Sequence, residues 1–444
     1  MKICVKYGLV CFFSILLFLP SANAQTELRW RALPNAPGPT GSRFDDVFFV
    51  NPSLGWVING FGQIYRTTDG GESWELQLNQ PQTFWRSIGF ADSLRGWAGN
   101  LGLFEQVPRV TDTNMLYQTV NGGKTWTPVL NLPEPKPEGI CSIWVVNDSV
   151  VYATGRFYSA PRVIKTEDGG ASWKTINMEP FVDRLVDAYF FNADSGFVVG
   201  GVGDLTVSSG RILFTSDGGD NWEIRHTTKQ NAHWCWKISF PTREVGYISL
   251  ETFSSGRTSY FLKTKDGGLT WEENLLFGGY HEQGIGFVTE TLGWVGGDSQ
   301  TYETTDGGES WTTMPLFNAR LNRIRMLSDS IGYAVGATVY KYSRDNITSV
   351  ELVTEIPETF HLAQNYPNPF NPSTQINYSL QTSAIVSLKL YDLLGNEVQT
   401  LIDAFHLDGT YSATFYADDL ASGIYFYKLE ADDFVATKKL LLIR

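Results

Sequence analysis

A short phrase built on Asp-Gly-Gly, or Asn-Gly-Gly in one copy, and a tryptophan recurs along the chain and limits the folds that the chain can adopt. It occurs six times at spacings of 40 to 52 residues, and every copy begins with threonine and ends with tryptophan. The copies are residues 67–74, 119–126, 166–173, 215–222, 264–271 and 304–311. A repeat of this length with a tight-turn signal in each copy predicts a modular fold in which each unit packs on its neighbours.

A second phrase, glycine followed by an aromatic residue, precedes the first in most units. Its glycines are Gly55, Gly96, Gly196, Gly246, Gly293 and Gly332. In the third unit Val151-Tyr152 stands in its place. Each unit therefore reads as four short strands, with the glycine-aromatic strand second and the Asp-Gly-Gly turn between the third and fourth. Repeats of 40 to 50 residues with four strands are typical of a β-propeller.

The count of glycine-aromatic strands predicts seven blades over residues 25–345. The seventh unit has no Asp-Gly-Gly-Trp phrase after Tyr340–Ser343, whereas the segment from Trp30 to Leu33 resembles the strand that follows each phrase. We therefore expect the N-terminal strand to complete the last blade and close the ring, which removes open sheet edges. Cys141 and Cys235 fall on innermost strands of blades that are not adjacent, so no disulfide is expected between them.

Composition restricts the environment and the partners of the protein. The formal net charge is −13, which argues against nucleic-acid binding. Lys2 and Lys6 precede an apolar run over residues 9–19 and a small-residue site at Ala22-Asn23-Ala24, which predicts a signal peptide over residues 1–24. No later segment has the roughly 20 apolar residues of a membrane helix. We expect an exported monomer without a transmembrane segment, cofactor or metal.

The repeats end before a region of different character. Residues 346–358 are predicted to be a linker, and residues 360–372 contain a dense run of Pro and Asn that excludes a helix. Alternating polar and apolar segments follow to the C-terminus. This pattern predicts a small Ig-like antiparallel β-sandwich over residues 359–444. The fold class is therefore all-β, with a seven-bladed propeller and a sandwich.

The repeated turns resemble the Asp-boxes, or BNR repeats, of sialidases, sortilins and xyloglucanases. Alternation of the two phrases is similar to the seven-bladed photosystem II assembly and stability factor-like family. The strand order places the residue before the Gly-Gly pair of each box, aspartate in five boxes and asparagine in one, in turns on the lower face of the propeller, too far apart to act on one substrate. We expect these residues to be folding elements. These residues are Asp69, Asn121, Asp168, Asp217, Asp266 and Asp306.

The tail resembles the type A C-terminal sorting domain of the type IX secretion system. The matching segments are residues 365–372, 391–396, 420–427 and 437–444, the last reading Thr-Lys-Lys-Leu-Leu-Leu-Ile-Arg. The resemblance implies transit through the Sec system and the periplasm, then passage across the outer membrane. We expect the type IX machinery to bind residues 359–444 and the protein to be secreted or held at the cell surface.

Candidate binding residues cluster where the innermost strands begin, on the upper face. Arginine forms bidentate hydrogen bonds with oxyanions, and indole rings stack on sugars or cations. This rim therefore suits a carboxylate, a sulfate or a sugar. Phe157, Tyr158 and Phe253 could form a wall beside it. In the alternative, the rim residues neutralise one another and fill the channel. The rim candidates are Arg43, Trp85, Arg86, Arg184, His233, Trp234, Trp236, His281, Arg320 and Arg323.

Three functions remain open at this point. The favoured one is a surface or secreted module that recognises a protein or glycan. The second is a sialidase-like or xyloglucanase-like glycoside hydrolase, which needs two carboxylates and has Asp45, Asp46, Asp187 and Glu282 as candidates. The third is a structural spacer of the cell surface. Because no catalytic motif is recognisable, no catalytic residue is assigned and binding is preferred.

Overall fold

The protein is seen in a computed structural model that divides into two compact units between Asn346 and Ile347. The predicted signal peptide and linker lie outside the described residues. The described residues are 28–37, 43–103, 107, 109–204, 207–229, 231–253, 258–278, 282–297, 300–314, 320–344, 359–371, 373–381, 384–406, 409–417, 420–431 and 434–443.

The first unit consists of short strands. They are β1 (Arg29–Ala32), β2 (Phe44–Phe49), β3 (Gly55–Asn59), β4 (Gln63–Thr67), β5 (Glu75–Asn79), β6 (Trp85–Phe90), β7 (Gly96–Asn100), β8 (Leu116–Thr119), β9 (Thr127–Pro128), β10 (Ile140–Val145), β11 (Val151–Gly155), β12 (Arg162–Thr166), β13 (Lys174–Asn177), β14 (Arg184–Phe190), β15 (Gly196–Val202), β16 (Ser209–Thr215), β17 (Glu223–Thr227), β18 (His233–Ser239), β19 (Gly246–Thr252), β20 (Thr258–Thr264), β21 (Glu272–Gly278), β22 (Glu282–Phe287), β23 (Gly293–Gly297), β24 (Thr301–Thr304), β25 (Thr312–Met314), β26 (Arg323–Met326), β27 (Gly332–Val335) and β28 (Val339–Ser343).

These strands form seven four-stranded antiparallel sheets, which are the blades of a propeller. Six blades follow chain order from β2–β5 to β22–β25, and the seventh has the order β1-β28-β27-β26. The N-terminal strand pairs Trp30 with Tyr342 and Ala32 with Tyr340. The predicted seven-bladed fold and its closure by the N-terminal strand are confirmed.

The glycine-aromatic phrase is explained by packing between consecutive blades. The second-strand aromatic of one blade stacks on the phenylalanine that ends the innermost strand of the next, as Trp56 does on Phe90 at 3.5 Å between ring centroids. That phenylalanine lies against the glycine of its own blade, where a Cβ on Gly96 would be 2.5 Å from the Phe90 ring. Only glycine fits beneath the stacked pair, so the phrase is a packing motif.

The Asp-Gly-Gly turns are stabilised by hydrogen bonds within the turn itself. In the first of them, Asp69 accepts hydrogen bonds from the Thr67 hydroxyl at 2.7 Å and from the Ser73 amide at 2.9 Å. Gly70 and Gly71 both adopt positive φ, at 75° and 97°. The strand order places these turns on the lower face, where the innermost strands end. Their carboxylates are engaged within the turn.

A third repeated device joins the first and second strands of the first four blades. Asn51 accepts hydrogen bonds from the amides of Ser53 and Leu54, both at 2.9 Å, and Asp92, Asn147 and Asn192 do the same in later blades. Short polar side chains stabilise such turns by mimicking a backbone acceptor. The sequence analysis did not anticipate this element.

Cys141 and Cys235 form no disulfide with each other, as expected from their blades. The same separation along the ring predicts that both cysteines react as free thiols. That expectation needs correction because both side chains are fully buried. Burial further raises the pKa of the Cys235 thiol, which reduces the thiolate fraction that reacts.

The second unit is a pair of antiparallel sheets around one apolar core. One sheet has the order β29-β30-β33 and the other the order β32-β31-β34-β35. Its core contains Ile376, Leu388, Tyr427 and Leu440. The strands are β29 (His361–Leu362), β30 (Ser373–Leu380), β31 (Ala384–Tyr391), β32 (Glu397–His406), β33 (Gly409–Tyr416), β34 (Gly423–Ala431) and β35 (Phe434–Leu442).

The Pro-Asn loop of this unit is fastened to its last strand. Phe370 donates its amide to the carbonyl of Leu441 at 3.0 Å, and Ile443 donates in return to Phe370 at 3.1 Å. The Asn368 side chain accepts from the Leu441 amide at 2.9 Å. The two ends of the domain, where the resemblance to sorting domains is strongest, therefore form one structural element.

Candidate functional site

The innermost strands carry a register irregularity near their upper ends, and it sets which side chains enter the central channel. The pairing shifts between Phe44 and Asp46 in the first blade, and equivalent shifts occur in the next five blades. Extra residues at such bulges redirect side chains. By register, two layers of residues line the channel. The upper layer is Asp45, Arg86, Cys141, Val186, Trp236, Gln283 and Asn322, and the lower layer is Asp46, Ser87, Ser142, Asp187, Lys237, Gly284 and Arg323.

The lower layer is a network of buried ion pairs. Arg323 of the seventh blade donates to both oxygens of Asp187 in the fourth blade, at 2.9 and 3.0 Å, and lies 3.3 Å from Asp46. Arg325 also donates to Asp46 at 3.1 Å. The contact between blades seven and four crosses the channel axis. This layer therefore fills the channel and ties opposite blades together.

The charged groups of the lower layer shift one another's pKa values. Burial alone would raise the pKa of Asp187 and Asp46, but the cations Arg323 and Arg325 hold both below the usual value. Burial, together with the charge of Arg323, lowers the pKa of Lys237 to about 7. The carboxylates are thus kept ionised by bound arginines, which opposes a role in proton donation.

The upper layer is divided into a polar and an apolar half. In the polar half Asp45 accepts from Arg86 and from Arg43, while Asn322 donates to the Asp45 carbonyl and Arg43 donates to Gln283. Asp45 Oδ2, Asn322 Oδ1 and Arg86 Nε are buried and have no hydrogen-bond partner. In the apolar half Cys141, Val186 and Trp236 form one buried cluster.

Five aromatic side chains extend the apolar half toward the upper face. We call them the aromatic shelf: Phe157, Tyr158, Trp234, Trp236 and Phe253. Their ring centroids lie 4.4 to 6.2 Å apart along the contacts that join them. Tyr158 is 45% exposed, and Phe157 and Phe253 are partly exposed, whereas both tryptophans are buried.

Arginines border the aromatic shelf and the channel mouth. The guanidinium of Arg184 lies 4.7 Å from the Trp234 ring centroid, and that of Arg86 lies 5.7 Å from Trp236. Such distances favour cation–π attraction. Arg320 is exposed and its backbone has a φ of 64°, which is unfavourable for a residue other than glycine. The mouth therefore presents aromatic rings and cations on one face.

The predicted rim residues separate into groups. Arg43, Arg184 and Arg320 keep exposed surface at the mouth, and Arg86 and Arg323 are buried in the channel. Trp85 is fully buried between blades against Tyr117. His233 is buried with each ring nitrogen within 3.1 Å of a backbone carbonyl, so it anchors loops. Trp234 and Trp236 are the buried members of the aromatic shelf. His281 lies outside the described residues.

Sequence reasoning missed several polar side chains here, among them the channel residues Lys237 and Gln283 and the Asp46 partner Arg325. Each could have been found by counting along the strands from the glycine-aromatic phrase, because the strand register then gives the equivalent position in every blade. Lys237 is equivalent to Asp187 by this count. The side chain of Glu282, a carboxylate candidate, is not among those described.

The box residues have the properties of turn formers. The Ser172 hydroxyl and amide donate to Asp168 and lower the pKa of that carboxyl to about 2. Asn121 replaces the carboxylate with an amide and keeps the same bonds to Thr119 and Thr125. Within the described ranges, no group of three His, Cys, Asp or Glu side chains could hold a metal ion.

Comparison with known families assigns the C-terminal unit first. Residues 364–443 match the family described as secretion system C-terminal sorting domain. The C-terminal unit is a sorting domain of this family. It marks the chain for export by the type IX secretion system, to the cell surface or the medium. Among the described residues, no helix is long and apolar enough to span a membrane.

The propeller resembles the photosystem II assembly factor family. Residues 167–278 match the family described as photosynthesis system II assembly factor YCF48. The chain is 24% identical over 368 residues to the chloroplastic photosystem II stability/assembly factor HCF136 of Cyanidioschyzon merolae, covering 74% of this chain and 78% of that protein. It is 26% identical over 288 residues to the photosystem II assembly lipoprotein Ycf48 of Synechococcus sp., covering 61% and 75%.

A solved structure agrees with this fold. The structure of YCF48 bound to D1 peptide has a TM-score of 0.54 and 16% identity, covering 72% of this chain and 95% of that one. At this identity the likeness concerns the fold alone. The propeller and the sorting domain together describe a secreted or surface propeller.

Proposed function

We propose that the propeller is a recognition module that binds a protein or glycan ligand at the upper mouth of its channel. One observation carries the proposal. Partly exposed aromatic rings and arginines from several blades converge at the mouth, beside buried polar atoms without partners. Convergent polar groups in an apolar setting are typical of ligand sites. The type IX sorting domain would deliver this module to the outside of the cell.

Glycoside hydrolysis has less support from the same residues. Inverting and retaining hydrolases both need one carboxylic acid whose pKa is raised, so that it can protonate the leaving group. Asp46 and Asp187 show the opposite shift, and each is paired with arginine. A spacer role explains the filled lower layer but gives no reason for the aromatic shelf and Arg320 at the mouth.

The proposal is tested by probing the full-length protein on a glycan array and a peptide array. Peptides are included because a YCF48 structure of similar fold is bound to a peptide. Arg320→Gly should weaken binding of a ligand by about tenfold or more, a change of about 1.4 kcal/mol. Because glycine accepts a φ of 64°, the same variant should not lower the melting temperature.

Lys124→Ala is the matched control, since Lys124 is an exposed cation in a box turn on the lower face. It should leave binding unchanged. Absence of any ligand on both arrays, or equal loss of binding in the two variants, would contradict the proposal. Turnover of glycans on the array would favour the hydrolase.

A further inference from the structure

We infer that the upper mouth is built for a neutral sugar, the uncharged pyranose ring of a glycan. The inference rests on the proposed recognition function and specifies its ligand. Three features carry it: the two-sided upper layer, the unpartnered buried acceptors, and the continuity between that layer and the aromatic shelf.

The upper layer has a different character on opposite sides of the channel. Asp45, Arg86, Gln283 and Asn322 form the polar half, and Cys141, Val186 and Trp236 the apolar half. A pyranose has the same division, because its C–H face is apolar and its edge carries hydroxyl groups. Aromatic rings receive such apolar faces, and carboxylate, amide and guanidinium groups bind the hydroxyls. A wholly apolar or wholly ionic ligand would satisfy only half of this layer.

The unpartnered atoms distinguish a neutral ligand from an anionic one. Asp45 is 1% exposed and Asn322 is fully buried, yet Oδ2 of the first and Oδ1 of the second lack a hydrogen-bond donor. A buried acceptor without a donor is costly, so these oxygens need a ligand or water that donates. Hydroxyl groups donate, whereas a carboxylate or sulfate would bring more acceptor oxygens beside Asp45. Arg86 Nε is an unpartnered donor in the same layer and could serve a hydroxyl oxygen.

A continuous set of contacts joins the polar half to the exposed surface. Phe157 lies 5.6 Å from Trp236, Trp236 lies 5.7 Å from the Arg86 guanidinium, and Arg86 binds Asp45. Arg43 lies 3.4 Å from Asp45, also donates to Gln283 and keeps 17% of its side chain exposed. Displacement of the Arg43 side chain would therefore open the polar half to a sugar that stacks on the aromatic shelf.

The test uses the full-length protein on an array of neutral, uronic-acid, sialylated and sulfated oligosaccharides with a parallel peptide array. Binding to neutral oligosaccharides is expected, and titration with a soluble neutral hit should give a Kd that changes less than about twofold between 0.05 and 0.5 M NaCl, because no ligand charge is screened. Phe157→Ala should weaken this Kd by about tenfold or more through loss of stacking.

Asp45→Asn should weaken the same Kd by a similar factor, since it replaces the free acceptor with an amide donor. Its melting temperature must be measured because Arg86 also loses a charged partner, and Phe157→Ala tests the site independently of this risk. Leu94→Ala, which removes an exposed apolar side chain on the lower face, is the control and should not alter binding.

Several outcomes would overturn the inference. Binding confined to acidic glycans and weakened by salt, or confined to peptides, would refute the neutral sugar and leave the recognition function standing. Neutral-glycan binding that both Phe157→Ala and Asp45→Asn leave intact would place the sugar elsewhere. Failure of every glycan and peptide to bind would refute the inference and the proposed function together. An ordered water on Asp45 Oδ2 that persists in a glycan complex would also refute it.

Discussion

The guanidinium of Arg323 binds two carboxylates of the lower layer at once. It joins Asp46 and Asp187, which belong to blades on opposite sides of the ring. Buried ion pairs contribute little net stability compared with apolar packing, but removing one partner leaves an uncompensated charge. The residue thus fixes the geometry of the lower layer, on which the mouth rests.

Replacing Asp187 with asparagine should destabilise the propeller by about 3–5 kcal/mol, since Arg323 loses its bidentate partner in a buried site. The folded-state pKa values of Asp46 and Asp187 are depressed. Their stabilisation is therefore present above about pH 4, the pKa of an unfolded aspartate, and is lost as the pH falls through the folded values. Thermal melting from neutral to acidic pH should show a smaller acid-induced loss in Asp187→Asn.

Asp329→Asn is the matched control, because Asp329 is exposed. It should keep both the wild-type stability and the wild-type pH profile. Equal pH profiles for the wild type and Asp187→Asn would show that the pair with Arg323 does not contribute to acid sensitivity.

Sequence reasoning predicted where side chains lie along a strand better than which way they point. The periodic phrases located the innermost strands, so Arg86 and Arg323 were correctly grouped with the channel. Trp85 was grouped with them, although it points between blades toward Tyr117. The bulge between Trp85 and Ser87 separates the directions of neighbouring side chains. A bulge has no sequence signal comparable to the Asp-Gly-Gly turn, and unpartnered atoms such as Asp45 Oδ2 depend on side-chain conformations.

At the scale of elements, the same type of stacked aromatic contact joins several pairs of consecutive blades. The stacked pairs include Phe49 with Tyr333, Tyr152 with Phe190 and Tyr247 with Phe287, at 3.4 to 3.6 Å. The third blade departs from the pattern, since Val145 pairs with Val151 where the first, second, fourth and sixth blades pair phenylalanine with glycine. Without a ring to accommodate, the glycine is not required. This explains the irregular phrase noted in the sequence.

The N-terminal strand should be essential to the seventh blade. Trp30 is 1% exposed and makes an edge contact with Trp294 at 5.3 Å between ring centroids. Trp30→Ala should cost about 3–5 kcal/mol, as for other large buried aromatic side chains. Urea unfolding of the purified variant would measure this loss. Arg29→Ala, an exposed change on the same strand, should cost less than about 0.5 kcal/mol. Equal stability of the two variants would contradict closure through Trp30.

At the scale of the molecule, the propeller and the sorting domain are separate units. The propeller has its own apolar clusters between blades, and the sorting domain has its own core from Leu362 to Leu442. Each unit therefore has the means to fold independently, as expected of domains. The division predicts that export can be lost without loss of the ligand site.

A chain that ends at Asn346 should fold and keep its melting transition for the propeller but remain in the periplasm of the producing cell. Cell fractionation and surface proteolysis of intact cells would measure its location. The full-length protein is the control and should reach the surface or the medium. Surface display of the shortened chain would contradict the role of the sorting domain in export.

The pairing of β1 with β28 also determines when the propeller can form. Trp30 is among the first residues of the unit to be synthesised, and its partner Tyr342 is among the last. Until Tyr342 has emerged from the ribosome or the translocation channel, the seventh blade lacks its neighbour strand and the ring stays open. Blades that are synthesised earlier keep apolar surfaces exposed until the ring closes, and exposed apolar surface favours aggregation during synthesis or transport. Completion of the ring is therefore a late event in the formation of the propeller.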